Sequence, residues 1–284
     1  MKDFKKIFGS IVYHSGNILL AIIMLYPIIW LLSSSFKANG EVFINAHQLI
    51  PDTFHFENYR NGWAGFGNTT FATFFKNSIV ITAISTLGYI FSCSVVAFAL
   101  VRTEFKFKKF WFATVMLSMM LPKQVLLVPQ YILFHKFNWI NTFSPLVVPP
   151  FFAGPSSAFF IFLIMQFIRG IPKELDEAAT IDGCGTFKLF IYIIAPLIKP
   201  ALVTVGIFAV YWQWQDFVGP LLYLNKPELY PVSLALKLFS DPSTVTNWSN
   251  MFAMSALSLV PVILIFFVFQ KYIVEGISSQ GLKG

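Results

Sequence analysis

Long apolar runs separated by short polar segments dominate the chain. Six of the runs reach the roughly 20 residues that a helix needs to cross a bilayer. They predict transmembrane helices near residues 14–36, 73–101, 110–132, 146–168, 200–224 and 251–271. Pro27, Pro220 and Pro261 lie in or near these runs, which membrane helices tolerate because neighbouring groups can satisfy the freed backbone carbonyls. The pattern predicts an all-α membrane protein with six transmembrane helices.

The composition agrees with lipid as the solvent. The 284 residues are 56% hydrophobic and 12% charged, whereas about 25% of residues are charged in an ordinary soluble domain. So little charge does not cover a soluble surface. The net charge of +7 is therefore interpreted through its location along the chain rather than as a sign of nucleic-acid binding.

The distribution of positive charge predicts the orientation. With six spans both termini lie on the same side, and that side holds 13 of the 20 Lys and Arg residues, leaving seven for the other side. The loop 102–109 is the strongest indication, with four positive residues among eight. Because Lys and Arg concentrate in cytoplasmic loops, both termini are expected in the cytoplasm. Segments 37–72, 133–145 and 225–250 are then expected outside.

The first apolar run has an alternative interpretation. A basic start, MKDFKK, followed by an apolar core also describes a cleaved secretory signal. The core is long for a signal, and five more runs follow, so we favour a retained helix. The sequence is then divided into an N-terminal helix with its outer segment (1–72) and a membrane core (73–284). The core includes a cytoplasmic loop (169–200) and a cytoplasmic tail (272–284).

Several kinds of chemistry find no support in the sequence. Cys93 lies in an apolar run and Cys184 in an acidic stretch, so they are expected to be free thiols. The four histidines lack metal-ligand or triad spacing, and no metal or catalytic site is predicted. The phosphate-binding pattern G-x-x-x-x-G-K-[ST] is missing, and GCGTFK at 183–188 has the wrong spacing. The chain is therefore not expected to hydrolyse ATP.

One short segment concentrates negative charge. The stretch ELDEAATIDGCG, residues 174–185, contains four of the 13 acidic residues. Pro172 suits the first position of a helix, and acids in the first turns are favoured by the helix dipole. Gly183 and Gly185 supply a stop. A short helix over 172–182 is predicted, too short and too charged to span.

Helical spacing places Leu175, Ala178, Ala179 and Asp182 on one face of this helix. Small alanines let another backbone approach closely, and the flanking carboxylates can accept hydrogen bonds from Arg or Lys. These features suit a docking helix. Ordinary capping of a helix that faces water explains the acids equally well, and the residues alone leave both interpretations open.

The same segment resembles a known family. Glu177, Ala178, Ala179 and Gly183, followed by Ile191, Pro196 and Pro200, resemble the EAA loop of ABC importer permeases. Three further runs resemble the carbohydrate-uptake, MalG-like group of these permeases: VVAFALVRTEFKFKK, WQWQDFVGPLLYL and the final FQKYIVEGISSQGLKG. The resemblance covers essentially residues 14–284.

The resemblance implies a type I ABC importer permease with a cytoplasmic EAA coupling helix, in the cell membrane of a bacterium. Its cargo would be a sugar or an oligosaccharide. The implied partners are a MalF-like second permease subunit, a MalK-like ATPase dimer that carries the ATP and Mg, and an extracellular solute-binding protein. The chain itself would bind no cofactor and would not be an enzyme.

The resemblance also implies residue roles. Glu177 would pair with a basic residue of the ATPase, and Ala178 and Ala179 would permit close contact. Asp182 belongs to the same coupling helix, and Gly183 would let the chain turn. The tail Glu275 to Gly284 would touch the ATPase subunits, and the loop 225–250 would contact the solute-binding protein.

A polar and aromatic cluster late in the fifth predicted span is the candidate substrate pathway. It comprises Trp212, Gln213, Trp214 and Asp216, with Asn77 as a weaker candidate. Rings suit the C–H faces of sugars, amides suit their hydroxyl groups, and an ionisable group within the membrane is a functional candidate by default. Tryptophan is also enriched at membrane interfaces, so a structural role remains open.

Three alternatives to a sugar importer were weighed. The first is an ABC permease for another solute, since the EAA loop is shared. The second is an ion-coupled secondary transporter, which predicts paired membrane carboxylates and repeats with broken helices. The third is a membrane enzyme, which needs a cluster of catalytic groups. The sequence shows neither of the last two patterns.

Overall fold

The computed structural model describes residues 2–154, 156–240 and 246–281, with the side chains of 9–154, 156–239 and 246–270. Within these residues the chain is helical, and its only β pairing is an isolated bridge between Phe66 and Thr69. The α-helices are α1 (Lys2–Ser34), α2 (Glu41–Ile44), α3 (Glu57–Ala64), α4 (Phe71–Arg102), α5 (Lys108–Met120), α6 (Lys123–Lys136), α7 (Ser144–Val147), α8 (Ser157–Arg169), α9 (Glu174–Ile181), α10 (Thr186–Lys188), α11 (Ala195–Leu197), α12 (Lys199–Trp214), α13 (Val218–Tyr223), α14 (Val232–Ala235) and α15 (Trp248–Gly281). A π-helix occupies Leu189–Ile194, and 3-10 turns occupy Pro149–Phe152, Pro227–Leu229 and Leu236–Ser240.

Membrane-crossing helices dominate the described chain. Four stretches are long and apolar enough to cross, namely Gly9–Ser34, Phe71–Arg102, Ser144–Arg169 and Trp248–Gln270. Two bent helix pairs bring the total to as many as six. The predicted all-α membrane architecture is confirmed, and the predicted spans 14–36, 73–101 and 251–271 are continuous helices.

The prediction of one continuous helix over 110–132 was wrong. The chain bends by 106° between α5 and α6. Leu121 is extended at the bend because the ring of Pro122 disfavours a helical conformation in the residue before it. Pro122 also lacks the N–H that a continuing helix requires.

The prediction over 200–224 was also wrong in its continuity. The segment Thr186–Leu197 meets α12 at a bend of 75°. Pro200 follows the bend, and its missing N–H leaves the i−4 carbonyl without its usual partner. The helix then stops at Trp214, ten residues before the predicted end, and α13 begins only at Val218.

The span predicted over 146–168 is present but interrupted. The chain passes from α7 through the 3-10 turn Pro149–Phe152 before α8 begins. Two consecutive prolines, Pro149 and Pro150, remove two backbone donors there. The backbone N–H of Gly154 instead bonds to the carbonyl of Pro149 at 3.0 Å.

The described chain falls into two compact units. The first comprises Met1–Phe71 and Leu236–Val260. Within it, the side chain of Asn39 donates to the Thr246 carbonyl at 3.1 Å and accepts from the Trp248 backbone N–H at 2.7 Å. The rings of Phe43 and Phe252 pack beside Trp248, and the ring of Trp30 packs against Phe252. The outer segment predicted over 37–72 is therefore fastened to the start of α15.

The second unit comprises Ala72–Ala235 and Pro261–Gly284, and its core lies between α4, α8 and α12. Fully buried side chains include Phe160, Ile164, Ile168 and Val205. Cys93 is buried in this core and Cys184 lies near the surface, and both are free, as predicted.

A row of serines fastens α4 to the rest of this unit. Ser85 donates to the Leu146 carbonyl at 3.0 Å, and Ser92 donates to the Pro150 carbonyl at 2.7 Å. Ser78 accepts from a backbone N–H, that of Val232, at 2.8 Å. The spacing of seven residues places all three on one side of the helix. Their hydroxyls serve backbone groups of irregular segments, which need partners inside a membrane.

Candidate functional sites: an acidic surface helix and a membrane cavity

The acidic stretch forms the short helix α9, Glu174–Ile181. The predicted helix over 172–182 is confirmed, shortened by one or two residues at each end. Gly183 has a φ of +79° and ends the helix. Its N–H bonds to the Thr180 carbonyl at 3.0 Å, and the Cys184 N–H bonds to the Ala179 carbonyl at 2.9 Å. These paired bonds form a Schellman motif, so the predicted stop at Gly183 is confirmed.

The four acidic residues of this segment separate into two groups. Glu174, Glu177 and Asp182 are exposed. Asp176 is turned inward, and its side chain is 19% exposed. Its Oδ2 lies 3.1 Å from Nε of Arg102, whose side chain is 3% exposed. One carboxylate is thus neutralised within the chain, and three face outward.

The two alanines of the EAA pattern differ in environment. Ala178 is exposed, whereas Ala179 is 5% exposed and is the one buried residue of α9. The helix contacts the π-helix Leu189–Ile194 of the same chain. The expectation that both alanines offer close contact to a partner is therefore wrong for Ala179, which is covered by its own chain.

Large apolar side chains are exposed around α9. Ile181 is 85% exposed, Phe187 is 75% exposed and Leu175 is 42% exposed. This segment is too polar to enter lipid. Large exposed apolar side chains beside charged ones are typical of a surface that another protein covers.

A cavity of ≈ 290 Å³ lies in the second unit, between the bent helices. Its polar lining consists of Tyr89, Lys123, Gln124, Gln130, Ser156, Gln213, Asp216 and Tyr223. A second cavity of ≈ 800 Å³ lies beside it, and both are lined by Lys123, Gln130, Ser156 and Trp212. Rings, amides and two opposite charges therefore surround one space within the membrane-spanning region.

Three predicted pathway residues meet at this cavity: Trp212, Gln213 and Asp216. The Trp212 ring stacks on Phe160 with centroids 5.0 Å apart. Lys123 Nζ lies 5.5 Å from the centroid of the Trp212 ring, within the range of a cation–π contact. The tryptophan is thus held by core packing on one side and faces a cation on the other.

The carboxylate of Asp216 is held at the start of α13. Its Oδ1 accepts from the Gly219 N–H at 3.3 Å, and its backbone carbonyl accepts from the Ser233 hydroxyl at 2.6 Å. A Cβ at position 219 would lie 2.5 Å from Oδ2 of Asp216, so a larger residue there would displace this carboxylate. Asp216 therefore has a structural role as well as a place in the cavity wall.

The other two predicted pathway residues, Trp214 and Asn77, lie away from this cavity. Trp214 is 8% exposed and packs against Phe75 with centroids 6.0 Å apart. Asn77 is buried, and its Nδ2 donates to the carbonyls of Glu228 and Tyr230 at 2.8 and 3.1 Å. Neither lines the two cavities described above. Asn77 fastens the segment 228–230 to α4.

We expect Asn77→Ala to destabilise the protein by about 1–3 kcal/mol, because it removes the donor to two backbone carbonyls that are largely shielded from water. Thermal unfolding of the detergent-purified protein measures the change. Asn61→Ala is the matched control, since Asn61 is exposed on α3. An unchanged melting temperature for Asn77→Ala would contradict the anchoring role.

The contribution of α6 to the cavity was not predicted from the sequence. Lys123 and Gln130 lie seven residues apart, hence on the same side of that helix, and Gln124 lies beside them. The charge count assigned Lys123 to the outer side, although it falls inside the predicted span 110–132. The rule that ionisable groups inside spans are functional candidates points to it directly.

The structure describes only part of the C-terminal tail and of the loop 225–250, the two segments expected to contact partner subunits. The tail contact predicted for Glu275 to Gly284 lies outside the residues whose side chains are described. In the loop 225–250, residues 241–245 lie outside the described chain, and residues 227–232 are held by Asn77 and Ser78.

Comparison with known proteins identifies the class to which this fold belongs. Residues 94–279 match the family of binding-protein-dependent transport system inner membrane components. The chain belongs to this family: it is a multi-pass membrane subunit of an ABC importer, and the predicted ABC permease family is confirmed. An ion-coupled secondary transporter and a membrane enzyme are thereby set aside.

Individual relatives extend over nearly the whole chain. It is 34% identical to the probable ABC transporter permease protein YurM of Bacillus subtilis, over 91% of this chain and 84% of that protein. It is 31% identical to the arabinooligosaccharides transport system permease protein AraQ of Bacillus subtilis, over 94% and 93%. It is 30% identical to the trehalose/maltose transport system permease protein MalG of Thermococcus litoralis, over 95% of both.

A solved structure shows the same fold. A chain of a bacterial ABC transporter involved in the import of the acidic polysaccharide alginate matches with a TM-score of 0.80. The identity is 22%, and the match covers 94% of this chain and 96% of that one. The agreement confirms the importer-permease fold for the described helices.

Proposed function

We propose that this chain imports a sugar or an oligosaccharide and forms one half of the translocation pathway. The observation that carries the proposal is the cavity lined by Trp212, Gln213, Gln124 and Gln130. An aromatic face suits the C–H face of a sugar ring, and amides both donate to and accept from hydroxyl groups. Relatives named for arabinooligosaccharide and trehalose/maltose transport support this cargo class.

The helix α9 is the docking site for a separate ATPase subunit. Glu177 and Asp182 present carboxylates to a basic partner, and exposed Ala178 leaves room for close approach. Ile181 and Phe187 add exposed apolar surface, which gains free energy when a partner covers it. Gly183, with a φ of +79°, ends the helix and lets the chain turn.

The assembly includes further subunits. A MalF-like permease supplies the other half of the pathway, and a MalK-like ATPase dimer binds the ATP and Mg that drive transport. An extracellular solute-binding protein delivers the cargo and contacts the loop 225–250. In this arrangement α9 and both termini lie in the cytoplasm, as the positive charge of loop 102–109 favours.

Co-purification tests the assembly, and ATPase assays test the cargo. The chain is expressed with the genes that neighbour it, purified and reconstituted with solute-binding proteins loaded with a panel of saccharides. We expect an ATPase to co-purify and one class of saccharide to stimulate its activity. Purification of the chain without an ATPase would contradict the docking role. Stimulation only by a non-sugar solute would leave the importer intact and replace the cargo.

A further inference from the structure

A buried arginine joins the docking helix to a membrane helix. Arg102 is the last residue of α4, and its side chain is 3% exposed. Its Nη2 donates to the Ile171 carbonyl at 2.7 Å, and its Nε lies 3.1 Å from Oδ2 of Asp176. The two contacts reach the chain just before α9 and its first turn. One guanidinium thus holds both the entry to the helix and the helix itself.

The same helix, α4, also reaches the cavity. Tyr89 lies thirteen residues before Arg102, about 20 Å along the axis at 1.5 Å per residue, and it lines the cavity. Ser85 and Ser92 bond to the carbonyls of Leu146 and Pro150, two residues that also line the cavity. The arginine therefore stands at one end of a continuous helix whose middle forms and braces the cavity wall.

We propose that Arg102 is the positioning residue that transmits displacement of α9 to α4 and thereby to the cavity. The proposal rests on the proposed function, in which an ATPase docks on α9 and drives transport. Since α4 is unbroken from Phe71 to Arg102, a force on its end shifts the attached wall as a unit. The polypeptide between α8 and α9 is short and irregular, and the Arg102 contacts give α9 a second attachment.

The chemistry of the contact explains why arginine is required. A guanidinium spreads its charge over a rigid planar fork, so one nitrogen can donate to the Ile171 carbonyl while another stays within ion-pair distance of the Asp176 carboxylate. A lysine has one ammonium at the end of a flexible chain and holds this geometry less well. Asp176→Asn keeps an acceptor oxygen beside the guanidinium and removes only the charge.

The test measures assembly separately from coupling. Variants Arg102→Lys and Asp176→Asn are purified with the ATPase and the solute-binding protein in proteoliposomes. Four quantities are recorded: the amount of complex recovered, the ATPase activity without the binding protein, its stimulation by the loaded binding protein, and saccharide uptake. We expect the complex and its basal ATPase activity to be retained, while stimulation and uptake fall at least tenfold. Lys108→Gln is the control, since Lys108 forms only a surface pair with Glu104 and should behave as wild type.

A double variant separates positioning from folding. Arg102→Met with Asp176→Leu removes both charges together and leaves no unpaired ion, which often preserves stability. If the pair positions α9, this variant assembles yet remains uncoupled. Full uptake in the double variant would overturn the proposal, because any apolar contact would then suffice. Failure of every variant to assemble would also overturn it, because the pair would then be a requirement for folding.

The outcome is distinguishable from failure of the proposed function. If no ATPase co-purifies with the wild-type chain, the docking role of α9 is contradicted. Arg102 would then have no displacement of α9 to transmit. If the wild-type complex is stimulated normally and the Arg102 and Asp176 variants are stimulated equally well, only the proposed link fails.

Discussion

Glu177→Lys is expected to abolish transport while leaving the protein folded and inserted. Glu177 is exposed on α9, and among the described residues its side chain has no hydrogen bond or ion pair. The fold therefore loses little when the charge is reversed. A docked ATPase instead meets a like charge where it presents a basic group, and juxtaposed like charges at an interface cost several kcal/mol. Saccharide uptake in vesicles and recovery of the ATPase measure the effect.

The matched control for this experiment is Glu104→Lys. Glu104 lies in the loop 102–109, on the same side of the membrane, and its side chain is 91% exposed. It makes the same change in net charge but lies outside α9. We expect normal uptake from this variant. Wild-type uptake by the Glu177→Lys protein would contradict docking through α9, and equal loss in both variants would point to net charge rather than to a specific contact.

Gln213→Leu is expected to lower the transport efficiency for the saccharide by about tenfold or more. Leucine has nearly the same size, so the cavity wall is filled, but the amide that faces the cavity is lost. A hydroxyl that enters the site then gives up its bonds to water without replacement, which costs about 1–3 kcal/mol. Uptake as a function of saccharide concentration measures the loss, with assembly and basal ATPase activity unchanged.

Gln215→Leu provides the control two residues away. Gln215 is exposed after the end of α12 and does not line either cavity. The same substitution there removes an amide that lies outside both cavities, so transport should be retained. Equal loss in the two variants would show that the end of α12 tolerates no apolar residue. An undiminished rate for Gln213→Leu would remove the cavity from the pathway.

The apolar pattern predicted which segments cross the membrane but not where they break. Hydropathy depends on composition, and Pro122 and Pro200 contribute little to it. Their effect is on the backbone, through a missing N–H and a constrained neighbour. Pro122 inside one run and Pro200 at the start of another therefore indicate these bends where hydropathy does not.

The acidic helix was predictable because its determinants are local. Acids at its start and Gly183 at its end are both read from adjacent residues. The separation of Asp176 from the other acids was not predictable, because its partner Arg102 is 74 positions earlier in the chain. For the same reason the anchoring contacts of Asn77 were not predictable: a polar residue in a span looks identical whether it faces a cavity or donates to carbonyls 151 and 153 positions away.

The serine contacts of α4 bear on how the protein is made. The irregular segment 144–152 exposes backbone carbonyls that lipid does not satisfy, and each unsatisfied group costs several kcal/mol in a bilayer. Ser85 and Ser92 satisfy two of them, those of Leu146 and Pro150. The segment is therefore a poor candidate for release into lipid on its own. We therefore expect these spans to leave the insertion machinery together with α4, so that the contacts can form before the segment meets lipid.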